Sequence, residues 1–330
     1  MKNIKLIFSA SITLLIFNVA MAQDIPQPPA NYGLTSVLDG APPGKGLYLL
    51  EYFSYYSGVL QDVNGNDVKP NGTDDLGVSS ALLMNQLFWV TDAELLGGNL
   101  LFDVLVPIVN IDTSSPYDLV GRSGLGDIIV GTGVQWFNKK LFGLPYFHRF
   151  EVDFVLPVGS YNNEMGSRPI NAGSRFLTIQ PYYSQTLFFN DKFSASLRHH
   201  LSFNSQFKEI PNVNVKAGTF YHMIYSLEHL IGKKRFNPGV SGETRFAIHG
   251  YYGSQLNDDQ ANGVDVPDSR ESVFAIGPNL HFITKKGFVI GIKAAFETAV
   301  KNRPKGIRST IRIIKYWPSK GKKNKPIDAD

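Results

Sequence analysis

His200-Leu201-Ser202-Phe203-Asn204 sets a histidine, a serine and an asparagine at alternate positions, the residue types of a base, a nucleophile and a group that orients the base. Alternate residues of an extended strand share a face, so the three side chains line up on one side. Residues two apart on one strand rarely reach the mutual geometry that a Ser–His pair requires. Ordinary polar surface is therefore the better reading, and no catalytic residue is expected. His199-His200 is no metal pair, because neighbours on a strand point to opposite faces. His222 and His249 lack an evident third ligand, so Glu228 or Glu243 is their expected partner. No HExxH, phosphate-binding loop, GxSxG or dinucleotide glycine fingerprint occurs, and there is no cysteine. Neither a cofactor nor a metal is expected.

The remaining ionisable residues carry more information. In Phe150-Glu151-Val152-Asp153-Phe154-Val155-Leu156 the apolar side chains point one way and the acids the other. The same alternation sets Ile128, Val130, Thr132, Val134 and Trp136 against Asp127, Gly131, Gly133 and Gln135. It sets Phe193, Ala195, Leu197, His199, Leu201 and Phe203 against Ser194, Ser196, Arg198, His200, Ser202 and Asn204, and Thr244, Phe246 and Ile248 against Glu243, Arg245 and His249. The polar faces collect Glu51, Asp103, Asp127, Arg149, Glu151, Asp153, Arg198, His200, His222, Glu243, Arg245, His249, Lys293, Glu297, Arg308 and Arg312. Charges of both signs on one face call for partners. They form either a cross-lumen ion-pair lattice or a narrow pathway whose charges select a solute. Gly131 and Gly133 leave room for such a path, or mark a bend or close backbone approach.

The elements that carry this face are twelve expected strands, at 46–56, 79–90, 99–109, 125–137, 148–158, 174–189, 192–204, 215–228, 240–253, 271–284, 287–299 and 306–317. No helical period intervenes, and connectors alternate long and short. Short turns at one end and longer loops at the other are the habit of transmembrane β-barrels. Aromatic girdles mark both interfaces of such barrels. Trp89, Trp136, Phe188, Phe189, Tyr316 and Trp317 are expected at the inner one, and Tyr55, Tyr56, Tyr251 and Tyr252 at the outer one. A soluble β-sandwich would also alternate, but so many long strands in one run suit a closed barrel, which leaves no exposed edge. The expected fold is all-β: an antiparallel up-and-down barrel over residues 46–317.

Residues 1–22 read as an export signal, with Lys2 and Lys5 ahead of the apolar Leu6–Phe17 run and a small-x-small site at Ala20-Met21-Ala22. Removing two lysines takes the net charge from +4 to about +2, which argues against a nucleic-acid partner. Residues 23–45, rich in Pro and Gly, form an irregular periplasmic lead-in or a plug, and the lysine-rich 318–330 a basic periplasmic tail. No run approaches the ~20 apolar residues of a membrane-spanning helix. The expected place is the bacterial outer membrane, with lipid and the barrel-assembly machinery as partners.

Gly124-Leu125-Gly126-Asp127 opening one strand, with Leu156-Pro157-Val158-Gly159 ending the next, resembles the phenol-degradation meta-pathway (MetA-pathway) outer-membrane protein family over most of the mature chain. The resemblance implies passage of small hydrophobic or aromatic compounds and brings no catalytic residues. Asp127 also has a structural reading, as an acceptor for backbone N–H groups at a strand entrance. Two other functions compete: a non-conducting structural barrel with a lumen filled by ion pairs, and an outer-membrane lipid hydrolase. Known phospholipases of twelve strands carry a Ser-His-Asn site toward lipid, whereas Ser202 is expected to face the lumen.

Overall fold

The computed structural model describes residues 32–69, 72–114, 123–161, 170–210, 213–232, 236 and 240–319. The expected leader, residues 23–31 and the tail from 320 lie outside the described residues. Twelve long strands follow one another: β1 Gly46–Leu60, β2 Gly77–Leu95, β3 Gly98–Ser114, β4 Ile128–Leu141, β5 Leu144–Leu156, β6 Thr178–Phe188, β7 Phe193–Asn204, β8 Phe220–Ile231, β9 Glu243–Gln255, β10 Ser272–Ile283, β11 Phe288–Lys301 and β12 Pro304–Pro318. Each pairs antiparallel with its neighbour in sequence, and β12 returns to β1 in the register Gly46↔Pro318. The sheet closes on itself, so every long strand has a partner on both sides.

Both termini of the ring lie at one end, the terminal end. The other, the loop end, carries the long connectors. Short strands Phe207–Ile210, Val213–Lys216, Gln260–Ala261 and Val264–Asp265 pair into a small second sheet at the loop end. That sheet explains one difference from expectation: 215 and its neighbours join it, and β8 starts only at Phe220. At the terminal end β2–β3 and β4–β5 turn tightly at Leu96-Gly97 and Phe142-Gly143, all four at positive φ (52° and 72°, 53° and 80°). Such turns match the twist of paired strands, so the strands run further than alternation alone suggested.

Exposure alternates along the middle of most strands, and the large side chains exposed there are apolar. Phe150, Phe154, Phe193, Phe203, Phe246, Ile248, Ile290 and Ile292 all point outward, while Arg149, Glu151, Asp153, Ser194 and Ser196 are buried within the ring. The expected sidedness holds on β4, β5, β7 and β9, but β1 runs in the opposite parity. Tyr48, Leu50, Tyr52 and Tyr56 turn inward and Glu51 turns outward. The reason lies inside the ring, where Leu34 packs with Tyr48, Leu50, Tyr52, Met84, Phe88, Leu101 and Leu105 in one apolar cluster. Much of the inner side of the β1–β3 wall is therefore apolar as well, with Gln86 and Asp103 hydrogen-bonded to each other within it.

The segment 32–45 makes this possible. It forms no strand, yet its side chains from Leu34 to Val37 are buried. It descends within the ring from Tyr32, beside Phe220 and Tyr251 toward the loop end, to Gly44 and Lys45, held by Tyr48 and Tyr316 at the terminal end.

Candidate functional site

The chain's inward strand positions and the segment 32–45 together build one polar centre. Arg149 on β5, Ser184 on β6 and Arg198 on β7 all reach a single carboxylate, that of Asp39. Arg198 donates to both of its oxygens through Nε and Nη2. Ser184 Oγ donates at 2.9 Å, and an Arg149 terminal nitrogen lies 3.8 Å away. Arg149 Nε also lies 3.3 Å from Glu151. Rings cover the guanidiniums: Arg198 sits 4.5 Å from the Tyr182 centroid and Arg149 5.0 Å from that of Phe88. All the charged members are almost fully buried. Charge-assisted, bidentate contacts of this kind are the strong class of hydrogen bond.

Four further contacts fix the segment. Glu228 on β8 accepts the Leu38 amide at 2.9 Å and the hydroxyls of Ser194, Ser196 and Ser226. Lys293 Nζ donates to the Leu34 carbonyl at 2.6 Å, and Asn279 to Ser36 Oγ at 2.9 Å. At the loop end Arg303 donates to Tyr32 Oη at 2.8 Å and lies 3.6 Å from Glu271 and 4.0 Å from Glu297. The segment is held at top, middle and bottom by the wall.

Arg149, Glu151, Asp153, Arg198, His200, His222, Glu243, Arg245, His249, Lys293, Glu297 and Arg312 all face inward and are buried. Their ion pairs do not simply cross from wall to wall. Arg245 pairs with Glu243 two residues away on its own strand, and the two arginines of the centre meet through Asp39. Asp39 escaped the sequence reading because it lies outside any alternating segment. Its one signal is that it is the single acid between Asp24 and Glu51.

The histidines are placed differently from expectation. His222 does not pair with Glu228 or Glu243. It stacks face to face on His200 with centroids 4.1 Å apart, and Tyr182 and Tyr32 continue the column. His249 Nε2 lies 3.1 Å from the Ala294 carbonyl. Among the described residues no three His, Cys, Asp or Glu side chains are grouped as metal ligands. Ser202 accepts from Gln180 and Asn204 accepts from Thr178, so neither meets His200. Gly131 and Gly133 open no path. A Cβ at Gly131 would stand 2.2 Å from an Asp153 oxygen, and one at Gly133 2.1 Å from the Phe150 carbonyl. Of the expected interface aromatics, Trp89, Trp317 and Tyr252 are exposed on the outer face, and Trp136 lies over His148. Tyr251 belongs inside: it is fully buried and donates to Glu297. Tyr56, Phe188 and Tyr316 likewise face inward.

Asp127 is fully buried at the loop end, just ahead of β4. Its Oδ1 accepts the Gly159 amide at 2.8 Å and its Oδ2 the Ser174 amide at 2.7 Å, with the Ser174 hydroxyl added. Ser160 N donates to Leu125 O at 2.7 Å. The Gly-Leu-Gly-Asp and Leu-Pro-x-Gly segments are thus two halves of one clamp. A Cβ on Gly159 would meet the Gly126 backbone at 2.7 Å, so the glycine allows the halves to touch. Asp127 is a strand-entrance anchor rather than a member of the polar centre.

An apolar hollow of about 1050 Å³ lies along β1–β3 and β9–β12. Most of these strands supply two outward residues flanking an inward one, as Phe53 and Tyr55 flank Ser54, or Ile292 and Ala294 flank Lys293.

A family described as "Putative MetA-pathway of phenol degradation" matches residues 60–313. Among solved structures, the COG4313 outer membrane channel from Pseudomonas putida F1 is similar at 14% identity. The match covers 88% of this chain and 100% of that one, with a TM-score of 0.70. The beta domain of the Bordetella autotransporter Brka covers 83% of this chain and 100% of its own at 10% identity and a TM-score of 0.47. A Pseudomonas aeruginosa FadL homologue covers 90% and 95% at 10% identity and 0.31. The first of these likenesses carries the fold. No curated protein matches the sequence.

Proposed function

From the premise that this chain belongs to the MetA-pathway family of phenol degradation, we propose that it is an outer-membrane channel for passive passage of small hydrophobic or aromatic compounds. The observation that carries this reading is the division of labour within the ring. The wall is a closed sheet, apolar outside, while much of what fills the lumen is a separate segment, 32–45, that belongs to no strand. A lumen stopped by its own wall side chains cannot open without refolding, whereas one stopped by a segment can. The inward charges named above serve as the pore lining and set selectivity. The barrel sits in the outer membrane with Trp89, Trp136 and Trp317 at the periplasmic interface and its long loops outside.

The buried ion pairs favour a second reading, a non-conducting barrel stiffened by its contents. Swelling of liposomes holding the mature chain separates the two. Deletion of residues 32–44 is expected to raise the permeation of benzyl alcohol well above that of empty liposomes. A deletion variant that folds and stays as tight as bare lipid would leave only the structural barrel.

A further inference from the structure

We infer that Arg149, Arg198 and Ser184 form a receptor for an organic carboxylate with an apolar or aromatic body, and that Asp39 occupies it as an internal substitute. The inference rests on the channel reading, whose cargo class it narrows.

The receptor is built by the wall alone. Arg198 offers its whole fork, Arg149 the end not turned to Glu151, and Ser184 a hydroxyl. A planar guanidinium fork matches the two oxygens of a carboxylate, and the buried setting strengthens every contact. The faces of Tyr182 and Phe88 lie against the same guanidiniums. Whatever carries a carboxylate here therefore meets flat apolar surface beside it, as benzoate-like ions require.

The carboxylate, by contrast, arrives on a segment with no strand pairing. Its neighbour Leu38 is held at φ +56°, in a left-handed conformation that is unfavourable for an ordinary residue and persists only where surrounding contacts impose it. An acid tethered on a segment beside the receptor competes intramolecularly, at an effective concentration on the order of millimolar or above. A free carboxylate in comparable amount could then displace Asp39 and with it the segment, coupling recognition of the cargo to opening.

The test uses the purified mature chain in detergent, with benzoate as the anionic probe and benzyl alcohol as its uncharged counterpart. Asp39→Asn is expected to tighten benzoate binding at least tenfold and leave benzyl alcohol unchanged, and adding Arg198→Gln is expected to remove the gain. Equal gains for both probes, no gain, or a gain that survives Arg198→Gln would overturn the proposal. A second measurement leaves the centre intact. The chain has no cysteine, so Ser36→Cys places one thiol on the buried segment. Sodium benzoate is expected to speed its labelling several-fold over sodium chloride at equal ionic strength, and equal rates would refute displacement. Both readouts are of binding, so a barrel impermeable to every solute would sink the channel reading separately.

Discussion

Asp127 shows how much a single carboxylate can organise without doing chemistry. It accepts two backbone amides and a hydroxyl from the two ends of the connector between β5 and β6. Replacing it with alanine strands two buried donors, each costing about 1–3 kcal/mol. The expected outcome for Asp127→Ala is a lower urea midpoint with the loop end of β4 and β5 exchanging amide hydrogen faster, measured by hydrogen exchange. The polar side chains at 200, 202 and 204 are separated in the same way by their partners. Each is satisfied or stacked on a neighbouring strand, and alternation along one strand could not reveal which neighbour that would be.

At the scale of elements, the segment 32–45 is held in the lumen by side-chain contacts rather than by strand pairing. Glu228 is the middle anchor, and its carboxylate takes four donors, one of them the Leu38 amide. Glu228→Gln replaces one acceptor oxygen by a donor and weakens the grip on Leu38. Proteolysis within 32–45 is expected to quicken while the strands stay intact. The loop before β10 carries a pH dependence. Burial pushes the Glu271 carboxyl up to about 7, partly offset by Arg303. Burial likewise pushes Asp259 up to about 6, against hydrogen bonds from Gly218 and Gln255. Both acids bind protons more tightly folded than unfolded, so their contribution is full at low pH and is lost as pH rises through these values. Amides of 256–271 are expected to be better protected at pH 5 than at pH 8, after correction for intrinsic exchange. The reverse order would contradict the burial of these groups.

For the whole molecule the decisive quantity is which solvent each face meets. Ile292 is exposed in the middle of β11. If that face meets lipid, Ile292→Arg costs about 2–4 kcal/mol near the bilayer midplane. If it meets water, the change is almost neutral. Unfolding equilibria in phospholipid vesicles distinguish these outcomes, and a cost below about 1 kcal/mol would count against a membrane-spanning wall. Gly133 tolerates no side chain. Neighbouring strands are drawn together there until a Cβ would touch the facing carbonyl.

Alternation of side chains along the backbone was enough to read twelve strands, their sidedness on β4, β5, β7 and β9, and the inward charges, because a strand's two faces follow from chain geometry alone. The parity of β1, the inward turn of Tyr251, the histidine stack and the role of Asp39 had no such signal. Each depends on what occupies the middle of the ring, and that is an aperiodic segment with neighbours as distant in sequence as Arg303, 271 residues from Tyr32. Local periodicity reports a residue's face. Only closure of the sheet around residues 32–45 decides what that face meets.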